Sequence, residues 1–177
     1  MTLAILADIG GTNTRVALAR GEDVLTDSIA RFSNAEYKAA GKDIAHILRD
    51  YLDQKGIGAV SGVCVAAAGP VQDGVATMTN LDWVMDRAKL SGATGAEQVA
   101  ILNDLQAQGH ALGHIAADKL RCVITGPVKT GASMLVVGLG TGVNAAPVHV
   151  TPWGRIVPPS ECGHVNMPVR SEEDLQL

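Results

Sequence analysis

Short apolar runs separated by glycine-bearing turns open the chain. Leu3–Ala7 is apolar and ends at Asp8 and a Gly pair, Arg15–Ala19 resumes with Val16 and Leu18 on one face, and Val24–Ala30 has the character of a third strand. This pattern predicts a strand meander with tight turns. Ser33-Asn34-Ala35-Glu36 has capping-box spacing, and Tyr37, Ala40, Ile44, Leu48 and Tyr51 follow at helical intervals. One helix stopping at Gly56 is predicted there. Val63–Ala67 reads as a buried strand, Gly69-Pro70 as a turn and Val99–Leu102 as another short strand. From Asn103 the period changes, with Leu105, Gly109 and Leu112 on one helical stripe. Met134–Val137 and Val143–Val148 are strands around a second Gly-rich turn, Gly138-Leu139-Gly140-Thr141-Gly142. The strand–turn–strand unit thus occurs twice, about 130 residues apart, which suggests a duplicated architecture. Ser171-Glu172-Glu173-Asp174 is a helix-start signal followed only by Leu175, Gln176 and Leu177. So short a helix is not stable alone, and the expectation is a truncated form of a longer protein.

Composition narrows the class. Hydrophobic residues make up 47% of the 177 and aromatics 3%, so the core must be built from Val, Ile, Leu and Ala, as in strands buried on both faces. A net charge of -4 and a pI near 5.7 argue against a general nucleic-acid binder. No apolar run reaches membrane-spanning length, and no basic segment precedes the first apolar stretch. Cys64, Cys122 and Cys162 form no C-x-x-C pair. They read as reduced thiols of a cytoplasmic protein, Cys64 as a small core residue.

Four clusters carry candidate chemistry. In Asp8-Ile9-Gly10-Gly11-Thr12-Asn13, two glycines let backbone N–H groups approach an anion, Thr12 adds a hydroxyl, and Asp8 can orient Mg²⁺ or its waters. An ordinary hairpin turn fits the same residues. Asn103-Asp104 ends a strand and starts a helix, where ligands of open α/β sheets bind. Asp104 there is a candidate general base or, more plainly, a helix cap. Asn80-Leu81-Asp82-Trp83 sets amide and carboxylate groups beside an indole, a mix suited to sugar hydroxyls above an apolar ring face, although taken alone a plain surface loop is the better reading. Glu161 and His164 share the loop Ser160–His164, where both can bond hydroxyls. His110 and His114 are spaced i, i+4 but lack a third ligand for zinc.

The order of these motifs is more specific than any one of them. Ala-Asp-Ile-Gly-Gly-Thr-Asn-Thr-Arg, Ala-Ala-Ala-Gly-Pro-Val, Thr-Asn-Leu-Asp-Trp, Leu-Asn-Asp-Leu, Gly-Leu-Gly-Thr-Gly-Val and Glu-Cys-Gly-His-Val-Asn-Met-Pro together resemble the bacterial glucokinase family across the chain. The resemblance implies a ribonuclease-H-like α/β fold of the actin-like ATPase type. Residues 1–109 would form a small domain and 110–177 the start of a large one. It implies transfer of a phosphoryl group from ATP, with Mg²⁺, to glucose or a similar hexose, in a cytoplasmic homodimer that binds neither nucleic acid nor membrane. Asp104 matches the catalytic Asp. Asn103, Glu161 and His164 match sugar-binding groups, and Asn80, in the matching Thr-Asn-Leu-Asp-Trp segment, is a further candidate. Asp8, Gly10, Gly11, Thr12 and Asn13 match the first phosphate loop and Gly140, Thr141 and Gly142 the second, with Asp8 toward the metal.

Three departures qualify the match. Family members are nearly twice as long, so the adenosine pocket, a further sugar-binding Glu and a C-terminal helix would lie beyond Leu177, and little activity is expected of this chain alone. Val143-Asn144 stands where the family usually has Leu-Gly, and Cys162 where it has Gly. The related ROK sugar kinases share the Gly-Gly-Thr turn and Glu-x-Gly-His but follow the latter with a cysteine cluster, absent from Val165–Leu177. A non-catalytic sugar-binding regulator is the rival of another class, and it would need neither the phosphate turns nor Asp104.

Overall fold

The computed structural model describes residues 2–78, 80–127, 129–139, 143–160, 162–164 and 171–172. The opening meander is β1 (Leu3–Ile9), β2 (Asn13–Arg20) and β3 (Asp23–Ser33), each longer than the apolar run that announced it. Then come α1 (Asn34–Ala39), α2 (Ile44–Lys55) and β4 (Gly62–Ala67). The small strands β5 (Val71–Gln72), β6 (Val75–Met78) and β7 (Trp83–Met85) lead to α3 (Arg87–Thr94), β8 (Gln98–Asn103) and α4 (Asp104–Ala111). The chain continues into β9 (Met134–Leu139), β10 (Val143–Thr151) and β11 (Gly154–Ile156). The helix start read at Ser171–Asp174 falls mostly outside the described residues; Ser171 and Glu172 form a bend.

Five strands form the main sheet in the order β3-β2-β1-β4-β8, with β1, β4 and β8 parallel. Both Gly-rich units are antiparallel hairpins, β1/β2 and β9/β10, as the repeated pattern predicted. One face of the main sheet carries Ile5, Ile9, Val16, Val63, Val65 and Ala67 into a core closed by Ile44, Ile47, Leu48 and Tyr51 of α2 and Leu90 of α3. The opposite face presents Leu6, Cys64, Ala66 and Ile29 to a cavity of about 320 Å³ that also touches Ala107 of α4. Cys64 is therefore a half-buried wall residue rather than a core one, and burial still pushes its thiol pKa up.

The single helix predicted from Ser33 to Gly56 is two. Gly41 turns the chain at φ 68, a left-handed conformation that glycine adopts without steric cost. Asp43 then starts α2 afresh with a reciprocal capping box to His46. Gly56 does end α2, at φ 66. The segment read as turn and loop between Gly69 and Val99 holds the β5-β6-β7 sheet and α3. Its signal was present: Asp73 (φ 51) and Gly74 (φ 76) form the Asp-Gly turn that joins β5 to β6. Trp83 is 4% exposed and belongs to the core, so its indole is not an open platform for a sugar ring.

Asp43 joins α2 to α3. Its carboxylate accepts from the Ala45 amide (3.1 Å) and from Lys89 Nζ (2.8 Å), and lies 2.9 Å from His46 Nδ1. Partial burial works against its ionised form, but the bonds from Lys89 and His46 outweigh it and hold the pKa below the ordinary 3.8. With the folded value below the unfolded one, this contribution to stability is complete above about pH 3.8 and is lost as pH falls through the folded value. Asp43→Asn keeps the cap and removes the titration. Melting temperature measured against pH should therefore fall less steeply on the acid side in the variant; identical acid limbs would contradict this role for Asp43.

Candidate active site

The parallel strands bring their carboxyl ends level. Ile9 pairs with Ala67 and Ala67 with Asn103, so β1, β4 and β8 finish side by side. From these ends leave the Gly10–Thr12 turn, the Ala68–Pro70 bend and α4. The ends are tied by Ala68 N–H donating to the Ile9 carbonyl (3.0 Å) and by Asn103 Nδ2 donating to the Gly69 carbonyl (3.2 Å). A side chain at Gly69 would strike the Thr77 carbonyl at 2.7 Å, so the bend can pass under β6 only as glycine.

The first turn is compact. Gly10 N–H donates to the Asn13 carbonyl (2.9 Å), and Asn13 Nδ2 donates to the Thr12 hydroxyl oxygen (2.8 Å). A Cβ on Gly11 would lie 2.9 Å from Asn80 Nδ2, so the Asn80 amide sits directly against the turn. Asp8 is exposed at the end of β1, and its carboxylate accepts from Arg15 Nη1 at 3.2 Å. Asp8, Gly10–Asn13 and Asn80 are thus brought together.

Asn103 and Asp104 divide the work at the end of β8. Asn103 caps α4: its Oδ1 accepts from the Leu105 amide (2.9 Å), and Gln106 Oε1 accepts from its backbone N–H (3.0 Å). At 3% exposure, with Nδ2 on Gly69, it is first of all a structural hinge between strand and helix. The cap role considered for Asp104 therefore falls to its neighbour. Asp104 occupies the first turn, where its carboxylate accepts from the Leu105 amide at 2.8 Å. The positive end of the helix dipole favours a carboxylate there. Leu105 of α4 packs on Ala146, Val148 and Val157, and Gln106 Nε2 donates to the Val157 carbonyl (2.9 Å), so the helix behind Asp104 rests on the second sheet.

Gly140, Thr141, Gly142 and Glu161 lie outside the described residues. The backbone of His164 belongs to a short 3-10 turn with Cys162 and Gly163. Sequence reading missed what holds that loop. Asn144 Nδ2 donates to the Ser160 carbonyl (2.8 Å), and Asn144 Oδ1 accepts from the Cys162 N–H (3.0 Å). The residue noted only as a departure from a family pattern thus clamps both sides of position 161 to β10. Among the described residues no cluster of His, Cys, Asp and Glu could hold a metal ion, and no helix is long and apolar enough to cross a membrane.

A glucokinase family model matches residues 5–177. The chain belongs to the glucokinase family. Glucokinase of Pseudomonas paraeruginosa is 36% identical over 178 residues, and that of Brucella abortus 31% over 173. These matches take in 99% and 98% of this chain but 51% and 49% of the relatives, so the chain spans about half their length. Among solved structures, a glucokinase from an Antarctic psychrotroph superposes with a TM-score of 0.82 at 26% identity, covering 99% of this chain and 55% of its own. Glucokinase from Balamuthia mandrillaris, solved in complex with glucose, superposes at 0.73 and 25% identity, covering 99% and 53%. The fold is that of these sugar kinases, the actin-like ATPase type expected from the sequence. A ROK hexokinase from Thermus thermophilus shares the fold at 21% identity, with a TM-score of 0.60 over 92% of this chain and 51% of its own.

The Asn144 clamp generates a prediction. Asn144→Ala removes these two part-buried hydrogen bonds and a third, from the Ala145 amide to Asn144 Oδ1 (2.9 Å), each contributing about 0.5–1.5 kcal/mol, so denaturant unfolding should show a loss of about 1.5–4.5 kcal/mol. An unchanged midpoint would mean that the clamp carries no load.

Proposed function

We propose that this chain supplies the catalytic carboxylate and most of the sugar and phosphate contacts of an enzyme that transfers the γ-phosphoryl group of ATP to glucose, giving glucose 6-phosphate. The observation that carries the reading is the level finish of β1 and β8: the Gly10–Asn13 turn leaves one end, and Asp104, following the N-cap Asn103, begins the helix at the other.

In this reading Asp104 accepts the proton of the sugar 6-hydroxyl as that oxygen forms a bond to the γ-phosphorus. The bond from that phosphorus to the β–γ bridging oxygen breaks, and ADP leaves with its electron pair. Asn80, Asn103, Glu161 and His164 hold the remaining hydroxyls so that attack is in line. Backbone N–H groups at Gly10, Gly11, Thr12 and Asn13, the Thr12 hydroxyl, and Gly140, Thr141 and Gly142 cradle the phosphates of ATP. The close-packed glycine at 11 fits a turn that must admit an anion to its backbone. The exposed Asp8 carboxylate has the oxygen chemistry to hold Mg²⁺ through water. Such an ion neutralises charge on the transferring group, while the residues contribute positioning and electrostatics.

The division into a first domain over 1–109 and a second from 110 belongs to the same proposal, as does a homodimer.

The test is Asp104→Asn in the full-length protein. Asn103 keeps the cap, so the loss of stability should stay within the dipole contribution of about 0.3–1 kcal/mol. Glucose should still bind by titration. Turnover should fall by roughly 10²–10⁴, the usual contribution of a general base. Near-normal turnover in the variant would contradict the assignment of Asp104.

A further inference from the structure

Asn34 is a polar residue with 0% exposure, and its groups are spent on one short stretch of chain. Its Nδ2 donates to the Gly10 carbonyl (2.8 Å), its Oδ1 accepts from the Thr14 hydroxyl (2.7 Å), and its backbone N–H donates to the Thr12 carbonyl (3.0 Å). A buried amide is costly unless fully bonded, and here these three bonds all go to the β1–β2 turn or its exit. The turn therefore has its position set from α1, which Asn34 opens.

One helical turn later, Lys38 does the same for a second loop. Its Nζ donates to Asp82 Oδ2 (2.7 Å) and to the Asn80 carbonyl (3.3 Å). Asp82 has φ 57, a left-handed conformation that a non-glycine residue keeps only when its surroundings hold it there. The circuit closes where Asn80 Nδ2 meets Gly11. Two loops that are distant in sequence thus share one short helix and one direct contact.

We propose that α1 is a strut coupling these loops, with Asn34 and Lys38 as positioning residues, so that fixing the Asn80–Asp82 loop also fixes the Gly10–Asn13 turn and the reverse. In the functional reading above, on which its enzymatic meaning rests, this joins sugar binding to alignment of the ATP phosphates. Binding that orders one loop lessens the ordering cost at the other. Lys38 is the informative end of the strut. Its pair with Asp82 is exposed, at 44% and 78% for the two side chains, and such pairs contribute little to stability. Removing it separates coupling from folding.

Amide hydrogen exchange reads the strut directly. Gly10, Asn34 and Leu81 are reporters, because their N–H groups donate to the Asn13, Thr12 and Met78 carbonyls. In this chain Lys38→Met should speed exchange at Leu81 and also at Gly10 and Asn34, with a melting temperature near the parent's, and Lys38→Arg should restore all three. Asn34→Ala should speed exchange at Leu81 from the other end; if that variant does not fold, Lys38→Met decides. Faster exchange confined to Leu81 would overturn the proposal. In the full-length protein Lys38→Met should raise the KM for glucose and for ATP together, by roughly 5-fold or more, the low end of coupling between sites. A rise for glucose alone would overturn it. Failure of the parent protein to phosphorylate glucose would remove the enzymatic reading and leave the exchange result to judge the strut.

Discussion

The level finish of three parallel strands is the constraint from which the site follows. Ile9, Ala67 and Asn103 stand abreast, and the segments leaving them are sewn together by hydrogen bonds from Ala68 to Ile9 and from Asn103 to Gly69. In open α/β sheets the carboxyl ends of strands open onto the crevice where ligands bind. Here one such end carries a turn whose backbone can meet phosphate, and another carries a carboxylate in the first turn of a helix. Strand pairing sets that proximity before any side chain is chosen.

Two buried asparagines turn the constraint into a defined geometry. Asn103 joins β8 to α4 and takes the N-cap position, sharing the Leu105 amide with the Asp104 carboxylate in the first turn. Asn34 holds the Gly10–Asn13 turn and its exit. Each is at most 3% exposed, and each donates its side-chain amide to a backbone carbonyl of a loop. Backbone carbonyls are present whatever residues a loop carries, so a buried amide aimed at them fixes shape while the loop's own side chains stay available for ligands. Asn144 repeats the device at the Ser160–Cys162 loop.

Much of the scaffold was legible in the sequence because it is local. The apolar runs around Gly10-Gly11 and around Gly138–Gly142 are hairpins, and the change of period at Asn103 is a strand-to-helix switch. What was missed divides by cause. The break in the first helix was written in Gly41 and Asp43, but the apolar stripe ran through it and outweighed the local signals. β5 and β6 are two and four residues long, too short for alternation to register, although Asp73-Gly74 marked their turn. Residues 80–83 read as a surface loop with a candidate sugar platform, and Trp83 proved a core residue, because an indole beside Asn and Asp has the same composition whether it faces solvent or core. Asn34, Lys38 and Asn144 carried no readable signal, since their partners are tens of residues away or are backbone atoms brought in by the fold. Family membership supplied the order of the candidate motifs, and the described geometry supports Asp8, Gly10–Asn13, Asn80, Asn103 and Asp104 as one neighbourhood.

The central claim is that phosphate and sugar groups meet at these strand ends. Amide chemical-shift mapping of the full-length protein, with glucose and with a non-hydrolysable ATP analogue plus Mg²⁺ added separately, tests it most directly. The account predicts that glucose shifts the amides of residues 80–82 and 103–105 and that the nucleotide shifts those of residues 10–13. Shifts centred instead on the hollow between Asp73–Val75 and Arg87, beside β8, with residues 10–13 and 103–105 unmoved, would contradict it.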